Sequence, residues 1–181
     1  MSNLVGNSLS AASWAGGVVL YTVSLLRDKY QLPRGDASLI FSGLVIGVIV
    51  GNYVGGLVAM RVGRKKTVVI SSLFTGLLIM VYTNISNLTL AILIIMVMSF
   101  IAGVVLTAAN TLILEQVPSH RGTVTSANTA ASQLGVALGA ATGGLALQLS
   151  GWGLMGVTLG SLQLLASLIY QFGVSRPESN G

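Results

Sequence analysis

Between Leu4 and Phe172 the chain is a succession of long apolar runs, separated by polar breaks too short to fold on their own. A bilayer-spanning helix needs about 20 predominantly apolar residues. Runs of that order recur at 4–26, 37–60, 67–83, 88–114, 123–149 and 152–172. They are continuous rather than alternating, which argues against a transmembrane β-barrel. Charged residues make up 7% of the 181 residues and hydrophobic ones 53%, whereas roughly a quarter of an ordinary soluble domain is charged. So few charges cannot cover the surface of a soluble globule of this size. The expected fold is an all-α membrane protein, a single domain over residues 1–181 with six transmembrane helices.

The same composition removes several kinds of function. There is no cysteine, hence no disulfide framework, thiolate metal site or cysteine nucleophile. The single histidine, His120, falls in a polar break, and no Asp, Glu, Lys, Arg or His lies deep in a span. A proton or ion pathway usually carries such a residue, and hydrolysis within the membrane needs a catalytic constellation that is missing here. No metal, no cofactor and no enzymatic activity are expected. The net charge of +5 sits mostly beside the spans, so a nucleic-acid partner is not expected. The first apolar run is too long, and has no basic residue ahead of it, to read as a cleavable leader. Glu115, at the end of the fourth run, is expected to pair with Arg121 or with the basic turn described next.

Four of the nine basic residues, Arg61, Arg64, Lys65 and Lys66, fall within six positions between two apolar runs. Basic residues mark cytoplasmic turns. With this turn inside, Arg121 and Arg176 also fall inside, and Arg27, Lys29 and Arg34 fall outside, offset by Asp28 and Asp36. The expected arrangement is multi-pass, with both termini cytoplasmic, in the plasma (inner) membrane. Two sequons, Asn84-Ile85-Ser86 and Asn87-Leu88-Thr89, lie in an external turn too tight to present a glycan.

Glycines recur every fourth residue at Gly43, Gly47, Gly51 and Gly55, and again at Gly135, Gly139 and Gly143. Such ladders let two backbones approach closely in lipid. They occupy the middle run of each successive group of three, which suggests a three-plus-three repeat. Because three is odd, the second group enters from the opposite side, and inverted repeats of this kind are a transporter feature. Polar stripes accompany them. In the first run Asn3, Asn7, Ser10, Trp14, Gly17, Tyr21 and Ser24 share one face. In the fourth, Ser99, Gly103, Thr107 and Asn110 or Thr111 form a shorter stripe, and in the fifth Thr125, Asn128, Ser132, Gly135, Gly139 and Thr142 form another. Polar groups are costly against lipid tails. The first stripe reads as a cavity wall, with Tyr21 an alternative interfacial anchor. The fifth-run stripe reads as helix packing.

The stretch Gly56-Leu57-Val58-Ala59-Met60-Arg61-Val62-Gly63-Arg64-Lys65-Lys66 resembles the motif A loop of the major facilitator superfamily. Gly56, Arg61, Gly63, Arg64 and Lys65 match, and Met60 stands where that family usually has aspartate. Gly135-Val136-Ala137-Leu138-Gly139-Ala140-Ala141-Thr142-Gly143-Gly144 looks like the family's antiporter signature, with Ala140 in place of proline. Pro118-Ser119-His120-Arg121-Gly122 resembles the loop that precedes it. The resemblance runs over roughly Leu4 to Phe172 and is to the second, C-terminal half of a twelve-helix efflux permease of the drug:proton antiporter type. It implies transport of a small-molecule solute by alternating access, a cytoplasmic gate at Gly56, Arg61, Gly63, Arg64 and Lys65, and solute contacts at Asn7, Ser10, Trp14, Thr107 and Asn110. It also implies that the glycine-ladder helices face a second six-helix half, either an N-terminal half or a second copy in a homodimer. The chain itself is expected to be a subunit or a fragment. A membrane scaffold that kept the fold and lost transport is the alternative.

Overall fold

A computed structural model describes residues 2–116 and 121–173, all in helices or the short turns between them. Glu115, Gln116 and Arg121 belong to it by backbone only, so the expected Glu115 pairing falls outside the described side chains, as do Pro118–His120 and Arg176. The helices are α1 (Ser2–Tyr30), α2 (Arg34–Val62), α3 (Arg64–Asn84), α4 (Leu88–Gln116) and α5 (Arg121–Gly173). Among the described residues, five helices are long and apolar enough to cross a membrane.

The turns are tighter than the sequence predicts. The break expected at 27–36 shrinks to Gln31–Pro33. Gln31 takes a left-handed conformation (φ 54°, ψ 33°) and returns its N–H to the Leu26 carbonyl. Pro33 precedes the first turn of α2, where a missing N–H costs nothing, and Gly35 is absorbed into the helix. The basic turn shrinks further. Only Gly63 leaves helical geometry, at φ 97°, ψ 134°, a conformation that a residue without Cβ reaches without strain. The Gly63 carbonyl then accepts from both the Thr67 N–H (3.0 Å) and the Thr67 hydroxyl (2.9 Å), which starts α3. Between α3 and α4, the Asn87 side chain caps α4 by accepting from the Leu90 N–H at 3.1 Å, as N-cap residues do. The amide nitrogen of Asn84, the first sequon's acceptor, is bonded to the Met80 carbonyl at 2.8 Å.

The 53-residue α5 is broken where a turn is expected. Ser150 (φ −149°, ψ 20°) and Gly151 (φ 73°, ψ −162°) are its non-helical residues, and the Gly151 conformation is essentially reserved for glycine. They divide α5 into a first arm, 121–149, and a second arm, 152–173. Their contacts with α1 show that the arms run in opposite directions. Ser8, Ala12 and Tyr21 meet the first arm in rising order, at Ala131 and Gly135, then Gly139, then Ala140 and Gly144. Gly6, Ser10 and Ser13 meet the second arm in falling order, at Tyr170, Gln163 and Leu159.

Both glycine ladders pack inside the chain. Gly43, Gly47, Gly51 and Gly55 lie against Met96, Ser99, Phe100 and Val104, so α2 and α4 run parallel in close contact. A Cβ at Gly51 would overlap the Phe100 carbonyl, and one at Gly103 would overlap that of Val48. Gly135 and Gly139 are pressed against the Ser8 and Ala12 carbonyls of α1, and Gly143 lies under the Tyr21 ring. The ladders are therefore not themselves the joint to a second half. Backbone approach is taken up by α4 and α1 of the same chain, and the other faces of α2 and the first arm carry exposed Ile46, Ile49, Tyr53, Leu134 and Leu138.

Two apolar clusters close the ends of the bundle. One gathers Val18, Leu25, Leu44, Ile79, Tyr82, Ile95 and Leu159. Its end is tied by Lys29 Nζ donating to the Thr83 carbonyl (2.7 Å) and the Tyr30 hydroxyl donating to that of Ile85 (2.6 Å). The other gathers Ala59, Val68, Ala108, Leu112, Ala166 and Tyr170, on the side of the basic turn.

Candidate functional site: a neutral cavity at mid-depth

A cavity of about 410 Å³ lies between the two clusters. Chain order fixes its level. On α3 the lining residue Thr75 falls between Val68 of one cluster and Ile79 of the other, and on the second arm Gln163 falls between Leu159 and Ala166. The cavity is thus far from both ends of the bundle.

Its wall is built from the α1 stripe. Asn7, Ser10 and Trp14 all line it. From Ala12 to Val19 α1 is wound as a π-helix, a form rare in proteins and frequent at functional sites. Trp14 and Ala15 reach the cavity from this segment. The π-helical Gly16 and Gly17 admit Val136 and Leu159, where any Cβ would overlap them. Asn3, one turn before Asn7, is buried with neither end of its amide partnered among the described residues. Tyr21 lies beyond the cavity. Its hydroxyl donates to the Ala140 carbonyl at 2.8 Å, which makes it an interhelical tie.

Side-chain amides join three elements across the site. Asn7 Nδ2 donates to Asn128 Oδ1 (2.7 Å) and Ser132 Oγ (3.0 Å) on the first arm of α5. Asn128 Nδ2 donates in turn to Asn110 Oδ1 on α4 at 3.2 Å. From the other side Gln163 Nε2 donates to Ser10 Oγ at 3.1 Å. Asn110, Asn128 and Thr129 also border a second cavity of about 260 Å³, lined further by Ile113, Leu114 and Thr125. The Asn128–Asn110 bond therefore stands in the wall between the two spaces.

Of the solute-contact candidates, Asn7, Ser10, Trp14 and Asn110 come together on the main cavity. Thr107 does not join them. Its hydroxyl donates to the Asn52 carbonyl and lies 3.1 Å from Asn52 Oδ1, at the α2–α4 contact. The sequence reading assigned no solute role to Asn128, Ser132, Gln133, Thr75 or Gln163, all of which line the cavity. Asn128 and Ser132 were visible as a stripe and read as packing. Gln163 and Thr75 do follow small or polar residues at helical spacing, Gly156, Gly160, Gln163 and Ser167 in one run and Ser71, Ser72 and Thr75 in another, but these series belong to none of the stripes read from the sequence. No ionisable residue lines either cavity among the described residues, so the site is polar and uncharged. No group of three or more His, Cys, Asp or Glu is placed to hold a metal among the described residues.

A family model decides what kind of membrane protein this is: the Major Facilitator Superfamily matches residues 4–181. The chain belongs to the major facilitator superfamily. No curated protein matches it closely enough to stand as a named relative. Members of this superfamily carry small solutes across membranes and are not enzymes as a family. The basic stretch surrounds the turn at Gly63. Gly56 faces Thr107 of α4, with room for a Cβ at ordinary contact distance. Met60 and Arg61 point outward, Met60 being 69% exposed. Arg64 and Lys65 are half-buried at the start of α3 and both engaged. No acidic residue lies in the first turn of α3, although anions are favoured at a helix N-terminus.

Proposed function

We propose that the chain is a six-span half of an efflux transporter that moves small uncharged or amphiphilic solutes by alternating access across the plasma (inner) membrane. In this reading the two arms of α5 are separate spans, which makes six with α1–α4 and places both termini with the basic turn on the cytoplasmic side. The observation that carries it is the neutral, amide-lined cavity of about 410 Å³ at mid-depth, in a chain of a transporter family. Transporter sites lie near the bilayer midplane, at the contact of two repeats. Asn7, Ser10, Trp14 and Asn110 are the proposed solute contacts, and Gly56, Arg61, Gly63, Arg64 and Lys65 the proposed cytoplasmic gate. The efflux direction rests on the likeness of 135–144 to the antiporter signature.

A second six-helix half supplies the facing wall. Thr129 and Gln133 line the cavity and remain exposed on the first arm of α5, where contact with lipid would be costly. An N-terminal-type half or a second copy would cover them. Reconstitution of the purified chain into proteoliposomes, alone and with a candidate first half, tests the reading through flux of a neutral amphiphile and through oligomeric state. Flux that appears only in the assembled form supports it. A strict monomer that moves no solute, alone or with any candidate half, overturns it and leaves a membrane scaffold.

A further inference from the structure

We infer that Gln163 is a solute-recognising residue, whose side-chain oxygen accepts a hydrogen bond from the N–H or O–H of an uncharged solute. This rests on the cavity being a solute site and narrows what it takes. Gln163 comes from the second arm of α5 and meets α1 at Ser10, one turn along the same face from Asn7 of the Asn7–Asn128–Asn110 amide chain. It is only 1% exposed, yet it lines the cavity.

The two ends of its amide are treated differently. Nε2 is held by Ser10 at 3.1 Å, whereas Oε1 is buried with no hydrogen-bond partner among the described residues. A buried acceptor without a partner is costly, and most buried polar atoms have one. Here the acceptor belongs to a residue of the cavity wall whose amide nitrogen is tied to Ser10, and it lies just behind the wall surface. A small turn of the side chain presents it to a solute donor in the cavity.

The rest of the wall defines the remainder of the solute. Trp14, Val48, Val105, Leu106 and Val136 supply an apolar surface. A carboxylate would be buried without a cation among the lining residues, at a cost that pairing cannot recover. The class that fits has an uncharged head bearing a donor, such as a primary amide or an alcohol, on a compact apolar body.

Three probes with one apolar body test this: cyclohexanecarboxamide, methyl cyclohexanecarboxylate and cyclohexanecarboxylate. They are titrated into the full chain in lipid nanodiscs. Binding is read from the emission of Trp14, in a Trp152→Phe background because Trp152 is the other of the chain's two tryptophans. The carboxamide is expected to bind roughly twofold to twelvefold tighter than the ester, the range of one net hydrogen bond, and the carboxylate weakest. Gln163→Met keeps the volume and removes the acceptor, so the amide-to-ester ratio falls to about one. Ser10→Ala, which leaves Gln163 in place but unanchored, lowers the ratio part-way and decides the matter if Gln163→Met does not fold. An ester or carboxylate that binds as well as the amide overturns the inference. So does a ratio unchanged in the folded variants, or the absence of a saturable response to every probe. Equilibrium binding does not require flux, so a chain that binds the amide selectively and transports nothing retains this inference and loses the transport reading.

Discussion

The side-chain amide of Asn7 on α1 donates to Asn128 on α5 at 2.7 Å, across 121 positions of sequence. Asn128 then passes a hydrogen bond to Asn110 on α4, so one side chain joins three helices inside an apolar bundle. Interhelical hydrogen bonds in membrane proteins average about 0.6 kcal/mol, with a maximum near 1.7. Asn128→Ala removes two and is expected to destabilise the bundle by about 1 kcal/mol. The Asn7→Ala/Asn128→Ala double-mutant cycle should give a coupling of about 0.6 kcal/mol. Equilibrium unfolding in mixed micelles measures both, and a coupling of zero would mean that the bond contributes nothing to folding.

The parallel contact of α2 and α4 leads to a paired prediction. At Gly51 a Cβ would overlap the Phe100 carbonyl, while at Gly35 it meets nothing within 4 Å. Gly51→Ala is expected to force the helices apart at a cost of about 1–3 kcal/mol, the usual range for overpacking. Gly35→Ala, in the open first turns of the same helix, is expected to gain about 0.4–1 kcal/mol by reducing unfolded-chain entropy. The difference in melting midpoint between the two purified variants checks the assignment. Equal midpoints would contradict the close approach of α2 to α4.

How much of this was legible in the sequence depended on whether a feature repeats. Apolar runs repeat, and long apolar helices cover them, five where six runs are read, because the last two runs share α5. The first-run stripe also repeats, and three of its members line the cavity. The fourth-run stripe misled at Thr107 for a geometric reason. At about 100° per residue, steps of four drift by roughly 40°, so Ser99, Gly103 and Thr107 follow the α2 ladder. The step of three to Asn110 turns back toward α5. The glycine ladders were legible as packing surfaces but their partner was not, since a ladder says how close a neighbour comes and not which neighbour it is. Gln163 shares a helix face with Gly156, Gly160 and Ser167, but that pattern does not tell packing from a cavity wall, and its partner Ser10 lies 153 positions away.

The absence of cysteine makes the topology directly testable. Single cysteines at Ser86, between α3 and α4, and at Lys66, beside the Gly63 turn, can be labelled without background. With the basic turn cytoplasmic, a membrane-impermeant maleimide added to intact cells labels Ser86→Cys and spares Lys66→Cys until the membrane is opened. A cysteine at exposed Ser150, beside the break in α5, is expected to behave like Ser86→Cys, because an odd number of spans separates it from the basic turn if the arms of α5 are separate spans. The reverse labelling of Ser86 and Lys66 would invert the orientation, and a protected Ser150→Cys would count against two spans in α5.

The turn at Gly63 allows a test of the proposed gate. Arg64, Lys65 and Lys66 crowd the N-terminus of α3 with no acid in its first turn, an arrangement that the helix dipole disfavours. Met60, one turn before Gly63, is exposed and not part of either core, so a carboxylate can replace its side chain without repacking the bundle. Met60→Asp adds a negative charge close to three cations and to the positive end of α3. Such a contact stabilises the closed loop by about 0.3–1 kcal/mol at an exposed site, which corresponds to roughly a twofold to fivefold slower opening. Solute flux through the assembled transporter in proteoliposomes is expected to fall by that factor at low salt and to recover at high salt, where exposed charges are screened. An unchanged rate at both salt concentrations would reduce the basic turn to a topology signal with no part in gating.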